Sequence, residues 1–332
     1  MPGSLDQIRL TRVAEMARQE GFVDGAVLPV ERPDSEYTAF YRHFIAEGRH
    51  ADLNYLARPE KENLRSIFAE TETLLVFLYP YRFRAVETKL RAAPFKIARY
   101  AWQRDYHESL RAKLARVAQA NDLTGRAVTD SAPLPERYWA RRAGLGLIGR
   151  NAMLISPQYG SFFLIASLLV AEPLQAGTSR HFFPIGGQIE QPAPVRQLAA
   201  EVQIACGECR LCVDACPTQA LTGDGLMDIQ SCISYRTIES RSAAADFPRA
   251  GKKHRWVFGC DVCQQVCPYN KAATAFAADE FTDEHAAAEQ LAHGQLPVTR
   301  SALKGSVFFR RGLLKLAQNI SAVSDDSIPE LP

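Results

Sequence analysis

The sequence predicts an α+β protein with an N-terminal α/β domain, a small cysteine-rich domain and a short helical tail. Strand-like and helix-like hydrophobic patterns alternate over roughly the first 170 residues. All eight cysteines lie between Cys206 and Cys267, and only helical patterns follow them. We therefore divide the chain into an N-terminal domain, a linker, a cysteine-rich domain and a helical C-terminal region, at 1–171, 172–200, 201–272 and 273–332.

The composition is that of a globular protein and excludes several other classes. Hydrophobic residues make up 47% and charged residues 23% of the 332 residues, which excludes a disordered, collagen-like or coiled-coil chain. The formal net charge of +2 excludes a histone-like polycation. No apolar run approaches the roughly 20 residues that a spanning helix needs, and the N-terminus lacks the apolar core of a signal peptide. We expect a cytoplasmic protein without a membrane partner.

Hydrophobic spacing justifies the elements of the N-terminal domain in chain order. Leu10, Val13, Ala14 and Ala17 share one face of a short amphipathic helix. A second amphipathic helix is predicted at 105–119. Apolar runs predict buried strands at 73–79, 153–156 and 162–170, the last two separated by a turn at 157–160.

Two segments of this domain have both a structural and a functional interpretation. The glycine-rich segment 143–151 lacks the G-x-G-x-x-G spacing of a dinucleotide site. It predicts a helix C-cap at Gly144, or a place where the backbone approaches a bulky flat ligand. Asp130 precedes a Ser-Ala-Pro turn. It is either a turn residue or an acid that donates a proton at a reaction centre.

The cysteine spacing predicts two 4Fe–4S clusters. The first run reads C-x2-C-x2-C-x3-C-P, which is the spacing of bacterial ferredoxins. The second run reads C-x2-C-x3-C-P and lacks one cysteine, which Cys232 can supply. In such runs the last cysteine binds the other cluster. We therefore assign one cluster to Cys206, Cys209, Cys212 and Cys267, and the other to Cys216, Cys232, Cys260 and Cys263.

Disulfides and zinc are the alternatives for these cysteines. Four disulfides are unusual in a cytoplasmic chain. Paired C-x2-C units can bind zinc, but zinc explains neither the third cysteine of the first run nor the two Cys-Pro endings.

The linker and the tail have their own predicted structure, and basic residues are clustered in three segments of the chain. Prolines and adjacent glycines in 172–200 predict a long surface loop. Helices are predicted at 279–291 and 308–323. Basic residues concentrate in 82–116, 236–256 and 300–315. Such runs are either solvated faces or a footprint for nucleic acid. Tyr235, Trp256 and Phe258 interleave the second run, which favours contact with an unstacked base.

The motifs taken together resemble the epoxyqueuosine reductase family. The resemblance spans about residues 50–320, and the matching segments are YLARPEK at 55–61, RYAW at 99–102, DYH at 105–107, VTDSAP at 128–133, ARRAGLGLIGRN at 140–151, GSFF at 160–163, CISY at 232–235, GCDVCQ at 259–264, SALK at 301–304 and RGLL at 311–314. The chain departs from the family at Leu147, where tryptophan is usual, and at Arg150, where lysine is usual.

The resemblance implies a fold, an activity and a set of site residues. It implies a cobalamin-binding N-terminal domain, a ferredoxin-like domain with two 4Fe–4S clusters, and reduction of epoxyqueuosine to queuosine at the anticodon wobble position of tRNA. Asp130 corresponds to the proton donor. Arg58, His107, Arg150 and Ser161 fall in motifs that surround the cofactor, and the nucleic-acid contacts expected are Tyr235, Arg236, Thr237, Lys252 and Lys253.

This activity is chemically coherent with the residues. Opening an epoxide needs a strong reductant such as reduced cobalamin, which no side chain replaces. The clusters supply electrons singly, so we expect an external reducing donor, and we expect a monomer. Burial beside a flat apolar cofactor should raise the pKa of Asp130 toward neutrality, so that it holds a proton.

Two other functions remain open from the sequence. A cobalamin-dependent reductive dehalogenase shares both kinds of cofactor. A ferredoxin-like electron-transfer protein without an active site would bind iron but no corrinoid. A plain RNA-binding module would leave the eight cysteines unexplained.

Overall fold

The N-terminal domain is built on a four-stranded antiparallel sheet. The computed structural model describes residues 5–58, 63–175, 180–183, 206–240, 254–273, 275–276 and 286–324. The sheet contains strands β1 (Asp24–Pro29), β2 (Thr73–Pro80), β4 (Gly125–Val128) and β7 (Phe163–Val170), in the order β1-β2-β7-β4. All eight residues of β2 are buried, as expected of a central strand between two covered faces. In the register of this sheet, Val76 of β2 pairs with Ala26 of β1 on one side and with Ser167 of β7 on the other.

Helices cover both faces of this sheet. Helices α1 (Leu5–Gln19) and α4 (Tyr106–Ala120) pack on one face, where Leu75 and Phe77 point. Helix α5 (Glu136–Arg142) packs on the other, where Leu74 and Val76 point. Alternate residues of β2 therefore supply two separate cores, as the pleat of a strand requires.

The remaining elements of this domain lie around the sheet. Helices α2 (Ser35–Ala46) and α3 (Arg84–Ala92) and the short 3-10 helices Asn54–Ala57, Leu64–Ser66 and Arg99–Trp102 connect the main strands. Short strands β3 (Lys96–Ile97), β5 (Leu147–Ile148) and β6 (Leu154–Ile155) lie outside the main sheet.

The cysteine-rich domain consists of short helices, and strand pairing joins it to the N-terminal domain. Its helices are α6 (Leu211–Ala215), α7 (Ile233–Ile238), α8 (Val262–Gln265) and α9 (Pro268–Ala272), with a 3-10 helix at Ile229–Ser231. Its strand β8 (Trp256–Phe258) pairs in parallel with β3 of the N-terminal domain.

The tail packs back onto the cysteine-rich domain. It contains helices α10 (Ala286–Ala292) and α11 (Gly312–Val323), and the 3-10 helices Arg300–Leu303 and Val307–Arg310. The buried side chain of Asn319 on α11 donates to the carbonyls of Thr237 and Val257, at 2.8 and 2.9 Å. These bonds fix the tail against α7 and β8.

The structure agrees with most of the predicted elements. The four residues predicted to share a face of the first helix are all buried on α1. The predicted helix at 105–119 is α4, and the predicted strands are β2, β6 and β7. Gly144 follows α5 with φ +86°, as a glycine at a helix end does. The helix predicted at 279–291 has its first part outside the described residues, and most of the predicted loop 172–200 also lies outside them.

Within the described segments, no helix is both long and apolar enough to cross a membrane.

Candidate active site

A large cavity lies between the two domains and the tail. Its volume is about 1930 Å³, well above the roughly 300–1,000 Å³ of a pocket for a drug-sized ligand. Asp130 and the loop before α5 line one side. Cys232, Cys260 and Cys263 line the same cavity from the cysteine-rich domain, and Arg310 and Arg311 line it from the tail. A ligand in this cavity would therefore meet a carboxyl group and a set of thiols together.

Asp130 is held in position by three contacts. Its side chain is 62% exposed and lines the cavity. Tyr106 donates a hydrogen bond to Asp130 Oδ2 at 2.5 Å, and Nε2 of His107 lies 3.6 Å from the same oxygen. The backbone N–H of Asp130 donates to Glu136 at 2.7 Å. Its φ of +47° is left-handed, a conformation that aspartate tolerates and that is frequent at functional sites.

The expectation of a raised pKa at Asp130 is wrong. Enclosure by the surrounding protein acts to raise the pKa of this carboxyl, but the nearby imidazole of His107, the hydrogen bond from Tyr106 and the charge of Arg137 lower it below its usual value. The physical reason is that hydrogen bonds to an ionised carboxylate favour the charged form. Asp130 is therefore ionised at neutral pH.

The pKa values of two neighbours of Asp130, His107 and Glu136, are raised instead of lowered. Burial acts to lower the pKa of His107, but its hydrogen bond to Asp105 and the nearby carboxylate of Asp130 outweigh burial and raise the pKa above 6.5. Burial and the charge of Asp130 raise the pKa of Glu136 to about 8. These opposite shifts favour protons on the neighbours of Asp130 over a proton on Asp130 itself.

Four cysteines surround a second, small cavity. Cys206, Cys209, Cys212 and Cys267 line it together, and its volume is about 70 Å³. Burial raises the pKa of Cys212 to about 11, and the nearby thiols of Cys206 and Cys267 contribute to that shift. These are the four residues that the spacing assigns to one cluster.

The other four cysteines also lie near one another. Burial raises the pKa of Cys263 well above that of an ordinary thiol, and charges at Cys232, Asp261, Cys212 and Cys216 act in the same direction. Burial also raises the pKa of Cys260, and the neighbouring thiols of Cys263 and Cys232 contribute to that shift. Helices α6 and α8, which carry Cys212 and Cys263, pack against each other, so the two sets are adjacent.

Two of the four residues predicted near the cofactor line the large cavity, and two do not. Arg58 and His107 line it. Arg150 instead contacts the first cysteine loop: its guanidinium donates to the carbonyls of Gly207, at 2.7 Å, and Gly223. Its backbone N–H lies 3.5 Å from Sγ of Cys206. We therefore reassign Arg150 to the support of that loop.

Ser161 belongs to a buried polar network between the domains. Its hydroxyl donates to Gln264 and accepts from Asn270, both at 2.9 Å. Tyr81 also donates to Gln264, at 3.2 Å. Because Ser161 is only 1% exposed, we reassign it from cofactor contact to holding the domains together.

The predicted nucleic-acid residues have different surroundings. Tyr235 is buried, lines the large cavity and donates to Asp52 at 2.6 Å. Thr237 is 1% exposed and accepts the N–H of Gly259, so burial corrects its assignment as an RNA contact. Arg236 is partly exposed and donates to the carbonyl of Gln230. Lys252 and Lys253 lie outside the described residues.

The sequence interpretation missed an aromatic face of the cavity. Tyr37, Phe40, Tyr41 and Phe44 lie on α2 and all line the cavity. The rings of Tyr37 and Tyr41 stack at 5.8 Å between centroids, and those of Tyr41 and Phe44 at 6.1 Å. No residue of α2 is fully buried. The i, i+3, i+4, i+7 spacing was a detectable signal of this stripe.

A buried ion network fixes the domains to each other beside the thiols. Arg99, whose side chain is 8% exposed, lies 3.0 Å from Asp261 and 2.5 Å from Glu87. The Arg99 backbone N–H also donates to Asp261, at 2.9 Å. Asp261 stands between Cys260 and Cys263 in sequence, so Arg99 helps position that cysteine loop against the N-terminal domain.

Replacing Arg99 by methionine is expected to lower the free energy of unfolding by about 3–5 kcal/mol, because it leaves a buried carboxylate without its partner. Anaerobic chemical denaturation measures the change. Arg91→Met, at an exposed position on α3, is the matched control and should stay within about 0.5 kcal/mol of the parent. Equal stability of the two variants would contradict the assigned role of Arg99.

Comparison with known proteins identifies relatives in sequence and in structure. The family profile described as "Epoxyqueuosine reductase QueG" matches residues 61–131, and a "4Fe-4S double cluster binding domain" profile matches residues 205–270. The epoxyqueuosine reductase of a Synechococcus species is 35% identical over 274 residues, covering 80% of this chain and 76% of the relative. That of a Synechocystis species is 33% identical, covering 74% of this chain and 79% of the relative.

Solved structures share the fold. The epoxyqueuosine reductase of Streptococcus thermophilus superposes with a TM-score of 0.70 at 24% identity, covering 94% of this chain and 79% of that one. An epoxyqueuosine reductase crystallised with an epoxyqueuosine-modified tRNA-Tyr stem loop superposes with a TM-score of 0.69 at 22% identity and the same coverage.

Proposed function

The chain belongs to the epoxyqueuosine reductase family, and from this premise we propose that it reduces the epoxide of epoxyqueuosine, at the anticodon wobble position of a tRNA, to the alkene of queuosine. One observation carries the proposal beyond family membership. The same cavity is lined by Asp130 and by three thiols assigned to the second cluster. Electrons and a proton can therefore reach one bound substrate.

The cysteines hold two 4Fe–4S clusters in this proposal. The double-cluster profile covers all eight cysteines. The shared small cavity supports Cys206, Cys209, Cys212 and Cys267 as ligands of the first cluster. The mutual influence of Cys232, Cys260 and Cys263 supports their place in the second, with Cys216. Because each run contributes a ligand to the other cluster, the two clusters lie close enough for electron transfer.

The large cavity fits a cobalamin. Its volume suits a macrocycle together with a nucleotide, and the aromatic face of α2 offers flat apolar surface to such a ligand. Tyr37, Tyr41 and Arg58 would hold the cofactor from the N-terminal domain, in the cavity that the thiols of the second cluster also line. When bound and reduced, cobalamin supplies a strong nucleophilic reductant that no side chain can replace.

The chain's own residues position the substrate and move protons. Asp130 lies at the cavity wall and is the donor to the oxygen that leaves the epoxide. Reduction of an epoxide to an alkene consumes two electrons and two protons and releases water. The electrons come from an external low-potential one-electron donor through the two clusters. We also propose that the enzyme acts in the cytoplasm as a monomer.

Family membership supports this function over the two alternatives. A ferredoxin-like carrier would have no use for a cavity of this size beside its cluster, and the reductive dehalogenase interpretation rests on shared cofactors alone.

The test is conversion of epoxyqueuosine in tRNA. The anaerobically reduced enzyme, loaded with iron and cobalamin, is incubated with epoxyqueuosine-containing tRNA, and the digested nucleosides are analysed by mass spectrometry. We expect queuosine, lighter than the substrate by one oxygen atom. Unchanged epoxyqueuosine with fully loaded enzyme would refute the proposed function.

Binding of tRNA is expected to weaken steeply with salt, because the basic runs would neutralise phosphates and release counterions. Charge reversal of Lys252 and Lys253 should weaken binding and lower the slope of log Kd against log salt by about one per lost contact. Fluorescence titration at several salt concentrations measures both. Reversal of Arg12, at an exposed position on α1, is the control, and an equal loss in that variant would contradict the assignment.

A further inference from the structure

His107 has an environment that cofactor contact does not explain. Its Nδ1 lies 2.6 Å from Oδ1 of Asp105, and its Nε2 lies 3.6 Å from Oδ2 of Asp130. The ring stacks on Tyr106 at 4.1 Å between centroids, and the side chain is 10% exposed. Each ring nitrogen of His107 therefore faces a carboxylate, and the two carboxylates together orient the imidazole ring.

We propose that His107 stores the proton that Asp130 delivers, so that Asp105, His107 and Asp130 form a proton relay at the wall of the cavity. This inference rests on the proposed function. It assigns His107 as a positioning residue that acts through Asp130, and it replaces the expectation that His107 contacts the cofactor.

The geometry fixes which proton moves. Asp105 caps the N-terminus of α4 and accepts from both the backbone N–H and Nδ1 of His107. The Nδ1 proton is therefore retained, as in other carboxylate–histidine pairs. The Nε2–H bond faces Asp130. In the transfer, the Nε2–H bond of the imidazolium breaks, a bond from hydrogen to Oδ2 of Asp130 forms, and neutral imidazole remains.

The charges around His107 favour its protonated form. The N-terminus of α4 disfavours a cation, and burial does so too. The carboxylates of Asp105 and Asp130 oppose both and prevail. Glu136 and Arg137 lie beside Asp130, Tyr106 donates to its Oδ2, and Arg310 lies 3.6 Å from Asp105. Arg111 donates to the backbone carbonyl of His107 at 2.5 Å, and the ring of Tyr100 packs edge-on against Tyr106.

The relay also explains how an ionised Asp130 can act as an acid. A donor needs a proton when the oxygen leaves, but Asp130 is charged at neutral pH. The 3.6 Å separation exceeds a normal hydrogen bond by a few tenths of an ångström, and catalytic contacts commonly shorten once substrate is bound. His107 thus protonates Asp130 when the leaving oxygen needs the proton.

The pH dependence of a single turnover tests the relay. With pre-reduced, cobalamin-loaded enzyme, the rate should be constant at low pH and fall as the pH rises through the raised pKa of His107, because the stored proton is lost. His107→Gln should lower the plateau by about 10²-fold, at the low end for loss of an acid, and should remove the fall. Asp105→Asn should move the fall to lower pH. His293→Gln, at an exposed position just after α10, is the control.

Glu136 offers a competing source of the proton. Its pKa of about 8 places its own titration above neutrality, where it could also cause an alkaline fall in rate. If Glu136→Gln abolishes the alkaline fall while His107→Gln retains it, Glu136 supplies the proton and the proposal is overturned. If the fall persists in Glu136→Gln and disappears in His107→Gln, the proposal stands.

A measurement independent of activity separates the relay from the function. NMR titration of histidine-labelled enzyme, with the His107 signal assigned by its absence in His107→Gln, should give a pKa above 6.5 that falls in Asp105→Asn. Titration at or below 6.5 would overturn the proposal even if queuosine forms. A raised value with no queuosine from the wild type would refute the proposed function instead. Iron content and tRNA binding must match the wild type in each variant, and Asp105→Asn carries the test if His107→Gln does not fold.

Discussion

Replacing Asp130 by asparagine is expected to slow a single turnover of pre-reduced enzyme by about 10²–10⁴-fold, the usual contribution of a general acid. Asparagine keeps the size of the side chain and can remain beside Tyr106, but it can neither take a proton from His107 nor pass one on. The clusters, bound cobalamin and tRNA affinity should be unchanged. Rapid quenching followed by nucleoside analysis measures this step apart from electron delivery.

The matched control for this variant is Asp122→Asn. Asp122 is also an exposed aspartate with positive φ, +52°, but it lies just after α4 and does not line the cavity. Its replacement should leave the rate within about twofold, as for an ordinary surface change. A wild-type rate in Asp130→Asn would show that Asp130 is a turn residue only.

Replacing Cys232 by alanine is expected to halve the iron content, from about eight to about four atoms per chain, and to abolish multiple turnover. Cys232 is the only assigned ligand outside the two cysteine runs, and it lines the cavity. The first cluster should remain, because its four ligands are untouched. Iron analysis and the EPR spectrum of the reduced protein measure the loss.

The neighbouring Ser231 provides the control for this variant. Its hydroxyl donates to Asp228 at 2.5 Å and contributes no thiol, so Ser231→Ala should keep about eight irons. Full iron retention in Cys232→Ala would contradict the assignment of the second cluster.

The grouping of four cysteines around one cavity could be predicted from the sequence because cluster ligation requires short spacings along the chain. The observed arrangement of Cys206, Cys209, Cys212 and Cys267 around one cavity follows that spacing. The main strands and α4 could be predicted for a similar reason, since their burial depends on a local period.

The protonation state of Asp130 could not be predicted in the same way. Its position came from a motif, but its pKa depends on Tyr106 and His107, which the fold brings from another helix. The sequence carried a burial argument alone, which gave the wrong direction. Arg150 and Ser161 show the same limit, because a polar residue in a ligand-like motif can instead bond to backbone or amide groups across a domain boundary.

The aromatic face of α2 illustrates a different limit. The spacing of Tyr37, Phe40, Tyr41 and Phe44 indicates an amphipathic helix. Spacing does not tell whether the apolar face meets a protein core or a ligand cavity. Only the arrangement of both domains shows that this face lines the cavity.

The central claim is that one cavity holds cobalamin between Asp130 and the second cluster. EPR spectroscopy of enzyme carrying both Co(II) cobalamin and a reduced cluster tests it most directly, because two unpaired spins that lie close together split or broaden each other's signals. We expect such a perturbation in the wild type and its loss in Cys232→Ala. A spectrum equal to the simple sum of the separate cobalamin and cluster signals in the wild type would contradict the account.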